Sequence, residues 1–160
     1  MKKFILILSM LAVVGCSGQA PIKVEKHVDL SRFMGDWYVI ANIPTFIEKG
    51  AHNAVETYAM NKDGTIATTF SFNEDSFNGD KKTYHPTGFV TKDKSNAIWE
   101  MQFLWPFKSD YRILYVDENY KNTIIGRIKR DYLWVMSREP VINSGEYKKL
   151  IKIIKDSNYD

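Results

Sequence analysis

Four side chains in this 160-residue sequence are the usual carriers of covalent or metal chemistry: a single cysteine, Cys16, and three histidines, His27, His52 and His85. The histidines fall in a polar N-terminal stretch, a loop and a strand. No two stand at the short spacing that brings two imidazoles to one metal ion. Paired acids occur at Glu74-Asp75 and Asp117-Glu118, both in turn-forming stretches where acidic residues are ordinary. No Gly-x-Ser-x-Gly stands in the chain, and no glycine loop that could cradle phosphate. The pattern points away from an enzyme and predicts neither a metal nor a cofactor.

Cys16 has a different context. Lys2 and Lys3 open the chain, and residues 4–14 are apolar apart from Ser9. That run is shorter than the roughly 20 residues a spanning helix needs, and after a positive start it reads as an export signal. It ends in Val13-Val14-Gly15-Cys16, followed by Ser17-Gly18-Gln19, which resembles the bacterial lipobox. The resemblance implies a signal peptide over residues 1–15 and a diacylglycerol thioether on Cys16. Two acyl chains on one residue supply the two signals that stable anchoring requires. The resemblance also implies a location. Ser17, where an Asp would favour the inner membrane, implies the outer membrane with the protein facing the periplasm. Residues 16–28 then read as a lipidated tether, and 29–160 as the folded domain.

Without residues 1–15, and so without Lys2 and Lys3, 20 of the 22 basic residues remain against 19 acidic ones. A near-neutral domain gives no electrostatic case for nucleic acid. Alternating apolar and polar residues predict strands over 36–43, 54–60, 65–73, 83–91, 97–105, 111–116, 122–128 and 132–138. Asn61-Lys62-Asp63-Gly64 is a hairpin turn signal, and Gly88 within a strand marks a bend or a close backbone approach. Asp29 can cap a short helical turn before the first strand. Eight strands with short connections favour an all-β, antiparallel, up-and-down closed barrel. After Pro140, Ser144 can cap a helix in which Tyr147, Leu150, Ile151 and Ile154 form one apolar stripe, with Lys148, Lys149, Lys152 and Lys155 facing outward. Such a helix packs its stripe on the outside of the barrel; a basic amphipathic helix can also touch an anionic membrane surface.

Three groups of residues carry a resemblance to the lipocalins: Gly35-Asp36-Trp37-Tyr38, Tyr115-Val116-Asp117 with Tyr120, and Tyr132-Leu133-Trp134-Val135-Met136-Ser137-Arg138. Together with Pro44, Phe46, Gly50 and Arg130-Asp131, they are most similar to bacterial outer-membrane lipocalins, apolipoprotein D and the plant temperature-induced lipocalins. The resemblance implies that Gly35, Trp37 and Arg138 are a structural signature, with Trp37 plugging one end and the Arg138 guanidinium lying across it. Lipocalins usually continue into a further short strand after the helix. Only residues 157–160 follow here, which leaves the edge of the first strand less covered and raises the question of a homodimer.

Alternation gives the inward faces. Trp99, Met101, Phe103 and Trp105 oppose Glu100 and Gln102. Thr68, Phe70 and Phe72 share a face, as do Phe89 and Thr87. Tyr111, Ile113 and Tyr115 oppose Arg112, and Trp37 inward carries Val39 and Ala41 with it. These residues could line a ligand pocket or simply fill the barrel. The resemblance implies a pocket, for a fatty acid or lysophospholipid. Tyr111, Tyr115 and Arg112 are candidates to hold a polar head near its mouth.

Overall fold

The computed structural model describes residues 21–159. The stretch 1–15 and Cys16 lie outside the described residues. Nine strands follow one another as β1 (Gly35–Ile43), β2 (Ala51–Met60), β3 (Ile66–Glu74), β4 (Lys81–Tyr84), β5 (Thr87–Val90), β6 (Ile98–Leu104), β7 (Phe107–Val116), β8 (Asn122–Gly126) and β9 (Leu133–Ser137). All pairings are antiparallel, and β9 returns to pair with β1, so the sheet closes. β4 and β5 pair with the same strand, β3, and together form one of eight staves.

The stretch 83–91, expected as one strand, is therefore two. His85-Pro86 interrupts it, because proline has no N–H for the ladder. The Pro86 carbonyl instead accepts from Thr68 N at 3.1 Å. Just beyond, Gly88 is a close approach: a Cβ there would stand 3.1 Å from both Ile66 Cβ and Met101 Sδ.

One end of the barrel is shut. Helix α1 (Leu30–Phe33) starts at Asp29, whose carboxylate accepts from Ser31 N and Arg32 N. It drops Phe33 into the barrel against Trp37, Tyr58 and Trp99, all fully or almost fully buried. The Trp37 indole donates to the Phe33 carbonyl at 2.8 Å. The Arg138 guanidinium carbon lies 3.8 Å from the Trp37 ring centroid. Its nitrogens donate to the carbonyls of Arg32, Phe33, Met34 and Asp36 at 2.7–3.1 Å, and to Tyr120 at 3.3 Å. A planar cation on an indole with its donors satisfied by carbonyls is a geometry that arginine meets and lysine does not.

Helix α2 (Ser144–Asp156) lies outside. Its N-cap is Asn143, one residue before the expected Ser144; the Asn143 side-chain oxygen accepts from Glu146 N at 2.9 Å. Leu150 and Ile154 pack on a second apolar cluster formed by Leu114, Ile124, Leu133 and Val135 on the barrel's outer surface. No further strand follows α2 among the described residues. Tyr159 turns back instead: its hydroxyl accepts from Arg127 N at 2.8 Å and lies 3.0 Å from the Tyr132 carbonyl. β1 pairs with β2 over Gly35–Tyr38 and with β9 over Tyr38–Ile43.

Residues 21–28, assigned to the tether from sequence, lie against the barrel. Ile22 joins the outer cluster and Val28 the inner one. Glu25 N donates to the Ile113 carbonyl at 2.9 Å, and Val28 N to Ser95 at 2.7 Å.

Candidate ligand-binding site

Above the Trp37 plug the barrel is not filled. A cavity of about 400 Å³ opens between the inward faces of β2, β3, β6, β7 and β9 and the loop after β1. That volume falls in the range of pockets for one small ligand, roughly 300–1,000 Å³.

The wall is largely apolar, with Phe70, Met101, Phe103, Leu104, Tyr132 and Trp134. The loop after β1 supplies a lid: a 3-10 turn, Phe46–Glu48, begun by Thr45. Glu48 folds back into the barrel and is 6% exposed. One of its carboxylate oxygens accepts from Thr45 N at 2.8 Å and the other from the Trp134 indole at 2.6 Å. The lid turn is thus tied to β9 through a single side chain.

The floor is polar. Glu56 on β2 is 7% exposed and Thr68 on β3 is 3% exposed. In the β2–β3 register Glu56 faces Phe70 and Tyr58 faces Thr68, so Glu56 and Thr68 are diagonal neighbours on the inward face. The Tyr58 hydroxyl donates to one Glu56 oxygen and lies 2.5 Å from the Tyr111 hydroxyl. Burial, and then the nearby Glu48 charge, push the Glu56 carboxyl up to about 8. Tyr111 is raised as well, by burial and by Glu56. The buried Thr68 hydroxyl has no hydrogen-bond partner, nor does Arg127 Nε, which lines the cavity on the side of the β8–β9 connection.

Of the residues expected inside, the cavity brings together Phe70, Met101, Phe103 and Tyr111. Val39, Trp99 and Ile113 also lie inward, but they pack in the core around the plug. Phe72 is buried on the same face of β3, beside Phe70 at 5.3 Å between ring centroids.

Expectations fail at five residues, for identifiable reasons. Trp105 lies beyond the end of β6, in the turn to β7, and is exposed. Ala41 follows a register shift between Val39 and Ala41 and belongs to the outer cluster. Tyr115 follows a similar shift between Ile113 and Tyr115, and its ring sits outside, 5.6 Å from Lys149 Nζ. A bulge inserts one residue and reverses the alternation beyond it. Phe89 shares a face with Thr87 as expected, but that face is the outer one. Phe89 is opposite Glu100, and Lys108 Nζ lies 3.7 Å over its ring. Arg112, a candidate for the polar head, faces away and pairs with Asp110 at 2.8 Å.

The polar residues Glu48, Glu56 and Arg127 are not legible as site residues from composition, whereas Thr68 shares its face with Phe70 and Phe72 as alternation predicts. Glu56 had one signal: it stands two residues before Tyr58, and period two puts both on one face. Among the described residues no group of three or more His, Cys, Asp or Glu side chains gathers as a metal site.

Comparison with known proteins agrees with this architecture. A lipocalin-like domain model matches residues 28–160. The chain is 29% identical to the outer membrane lipoprotein Blc of Citrobacter freundii, over 92% of this chain and 85% of that protein. It is 32% identical to temperature-induced lipocalin-1 of Arabidopsis thaliana, over 87% of this chain and 78% of that protein. Among solved structures, insecticyanin from the tobacco hornworm Manduca sexta superposes with a TM-score of 0.69 at 17% identity, covering 87% of this chain and 78% of that one, and so shares the fold. With a family model spanning most of its length and a cavity in a closed eight-stave barrel, the chain belongs to the lipocalin family.

Proposed function

We propose that this protein is a non-catalytic carrier or store for single-chain lipids, fatty acids or lysophospholipids, held in the barrel cavity. In the same reading, acylation of Cys16 anchors it to the outer membrane, facing the periplasm. Lipocalins are generally binding proteins. The observation that carries the reading is the cavity of about 400 Å³ with aromatic and aliphatic walls. It has room for one acyl chain and a few polar contacts. A barrel serving only as a structural or interaction module would fill that space with side chains.

The anchoring half is supported by the lipobox-like stretch ending at Cys16 and by relatives named outer membrane lipoproteins.

The test uses the full chain bearing Cys16→Ser, which removes the acylation site and leaves residues 21–159 unchanged. Palmitate and lysophospholipid are titrated against tryptophan fluorescence, and lipid co-purifying with the protein is identified by mass spectrometry. Trp134 on the cavity wall makes a saturable change the expected result. No saturable change and no co-purifying lipid would refute the carrier reading. Membrane fractionation of the unaltered chain against Cys16→Ser tests the anchor separately.

A further inference from the structure

An up-and-down barrel places its connections alternately at its two ends. The turns 61–64, 91–96 and 117–121 lie at the end plugged by Trp37. The connections 44–50, 75–80, 105–106 and 127–132 lie at the open end. The two ends differ in kind. The plugged-end turns show no exposed large apolar side chain. Each open-end connection shows one: Phe46, Phe77, Trp105 and Ile128.

The β6–β7 hairpin is the extreme case. Leu104 pairs with Phe107, so Trp105-Pro106 is a two-residue turn. Such turns ordinarily hold Gly, Asn or Asp. Here Leu104, Trp105 and Phe107 are 70–80% exposed. Trp105 and Phe107 belong to neither apolar cluster and do not line the cavity, so packing gives no reason for them. Elsewhere on the surface such side chains stand singly, as Met60, Val141 and Tyr147 do.

The arrangement of this rim suits a lipid layer. Its tips stand on four separate loops around an opening. A protein partner needs contiguous, closely packed contact, whereas each tip can sink into fluid lipid independently. Lys108 and Lys129 each follow an apolar tip residue directly. Aromatic side chains beside lysines are common anchors at head-group depth. The cavity opens inside the rim, since Phe46 and Leu104 line it as well. A rim seated in lipid therefore joins the cavity to hydrocarbon without an aqueous step.

The path of the chain agrees. Val28 N bonds Ser95 in a plugged-end turn, and Glu25 N bonds Ile113 within β7, so the chain read backward climbs toward the open end. On the anchoring reading, residues 16–21 reach at most about 20 Å. The acylated residue then holds the barrel close to the layer that receives its acyl chains.

We propose that the open rim, led by Trp105 and Phe107, seats in the surface of a phospholipid layer, and that a single-chain lipid passes there between the layer and the cavity. Passage of lipid rests on the carrier reading above; docking of the rim does not.

The experiment uses the full chain bearing Cys16→Ser, which has no acylation site, with vesicles of phosphatidylcholine and a minority of phosphatidylglycerol. Binding is read by co-sedimentation. Adding Trp105→Ser and Phe107→Ser together is expected to weaken vesicle binding at least about tenfold, well within what two large apolar side chains contribute when buried. Met60→Ser, at the plugged end, is expected to leave it unchanged. Double-chain phosphatidylcholine brominated on its tails quenches tryptophan on contact. It is expected to quench the parent chain and to spare Trp105→Phe, because the other three tryptophans are buried.

Palmitate titrated without vesicles separates the two readings. The double serine variant is expected to bind it as tightly as the parent, which also shows that the variant is folded, and to take it up more slowly from vesicles. Equal vesicle binding by parent and double variant, no vesicle binding by the parent, or quenching that persists in Trp105→Phe overturns the inference and leaves the carrier reading standing. Self-association of the parent that the double variant abolishes, with no vesicle binding, also overturns it and assigns the rim to a second copy. Vesicle binding that the double variant loses, with palmitate bound by neither chain, supports the docking surface and refutes the carrier.

Discussion

The Trp134 indole donates to a Glu48 oxygen at 2.6 Å, across 86 residues of sequence and from a barrel strand to the lid loop. The other Glu48 oxygen accepts from Thr45 N at 2.8 Å. One carboxylate therefore fixes both the local turn of the lid and its position over the cavity. Trp134→Phe keeps most of the ring and removes the donor, leaving a buried carboxylate short of a partner. The expected cost is about 1–3 kcal/mol of stability, read as a lower midpoint in urea. Ligand release should quicken in the same variant, read by stopped-flow displacement. A variant with wild-type midpoint and wild-type release would mean that the lid is held by packing alone.

Arg138 is expected to be the most sensitive polar residue of the closed end. Its guanidinium serves five carbonyls and covers the Trp37 ring. Arg138→Lys keeps the charge but not the planar fork, and should lose about 2–4 kcal/mol in urea unfolding, several hydrogen bonds' worth. Trp37 fluorescence should shift to the red as the plug loosens. A loss within about 0.5 kcal/mol, the range of ordinary surface changes, would contradict this role.

Glu56 makes stability depend on pH in an unusual direction. Its folded-state pKa is raised to about 8 from an ordinary value near 4.5. Below the ordinary value both folded and unfolded chains are protonated, and stability is full with respect to this group. Between the two values the folded chain holds a proton that the unfolded chain has released. Stability then falls as pH rises, by up to about 1.4 kcal/mol per unit, and levels off above the folded value. The expected result is a higher melting temperature at pH 5 than at pH 8, with the slope flattened in Glu56→Gln. An identical slope in that variant would assign the dependence to other groups.

Gly126 and Tyr159 should be coupled. A Cβ at Gly126 would stand 2.5 Å from the Tyr159 hydroxyl and 2.6 Å from Leu114 Cδ1. Gly126→Ala is expected to cost about 1–3 kcal/mol through overpacking. Tyr159→Phe alone costs about 1 kcal/mol for its lost hydrogen bonds. In the double variant the overpacking is partly relieved, so the combined loss should be smaller than the sum of the two. Strict additivity would show that the hydroxyl is free to move aside.

Most of the architecture was legible because the signals that set it are local. Alternation located the staves, Asn61-Lys62-Asp63-Gly64 the hairpin, and the spacing of Leu150 and Ile154 the helix face. What escaped depends on partners. Nothing within 36–43 or 111–116 announces a bulge, since an extra residue exists only relative to the strand opposite. Ala41 and Tyr115 were therefore placed on the wrong side, although Val39 and Ile113 were placed correctly. Phe89 failed differently, because an isolated short strand does not say which of its faces is inner until its pairing with Glu100 is known. Glu56 escaped because a charge in a strand ordinarily points to water. Its burial is met by the Tyr58 hydroxyl, which in turn meets that of Tyr111, 55 residues from Glu56 in sequence.

The contacts of Arg138 also bear on the order in which the molecule is made. Its partners on the first turn and first strand are 102–106 residues earlier in the chain. A chain emerging from the ribosome therefore carries an indole with nothing over it and a β1 lacking one neighbour until β9 has been synthesised. Closure entropy for such distant pairings is spent before any of their contacts is gained. Completion of the plug is for this reason set by the arrival of the last strand and not by the first.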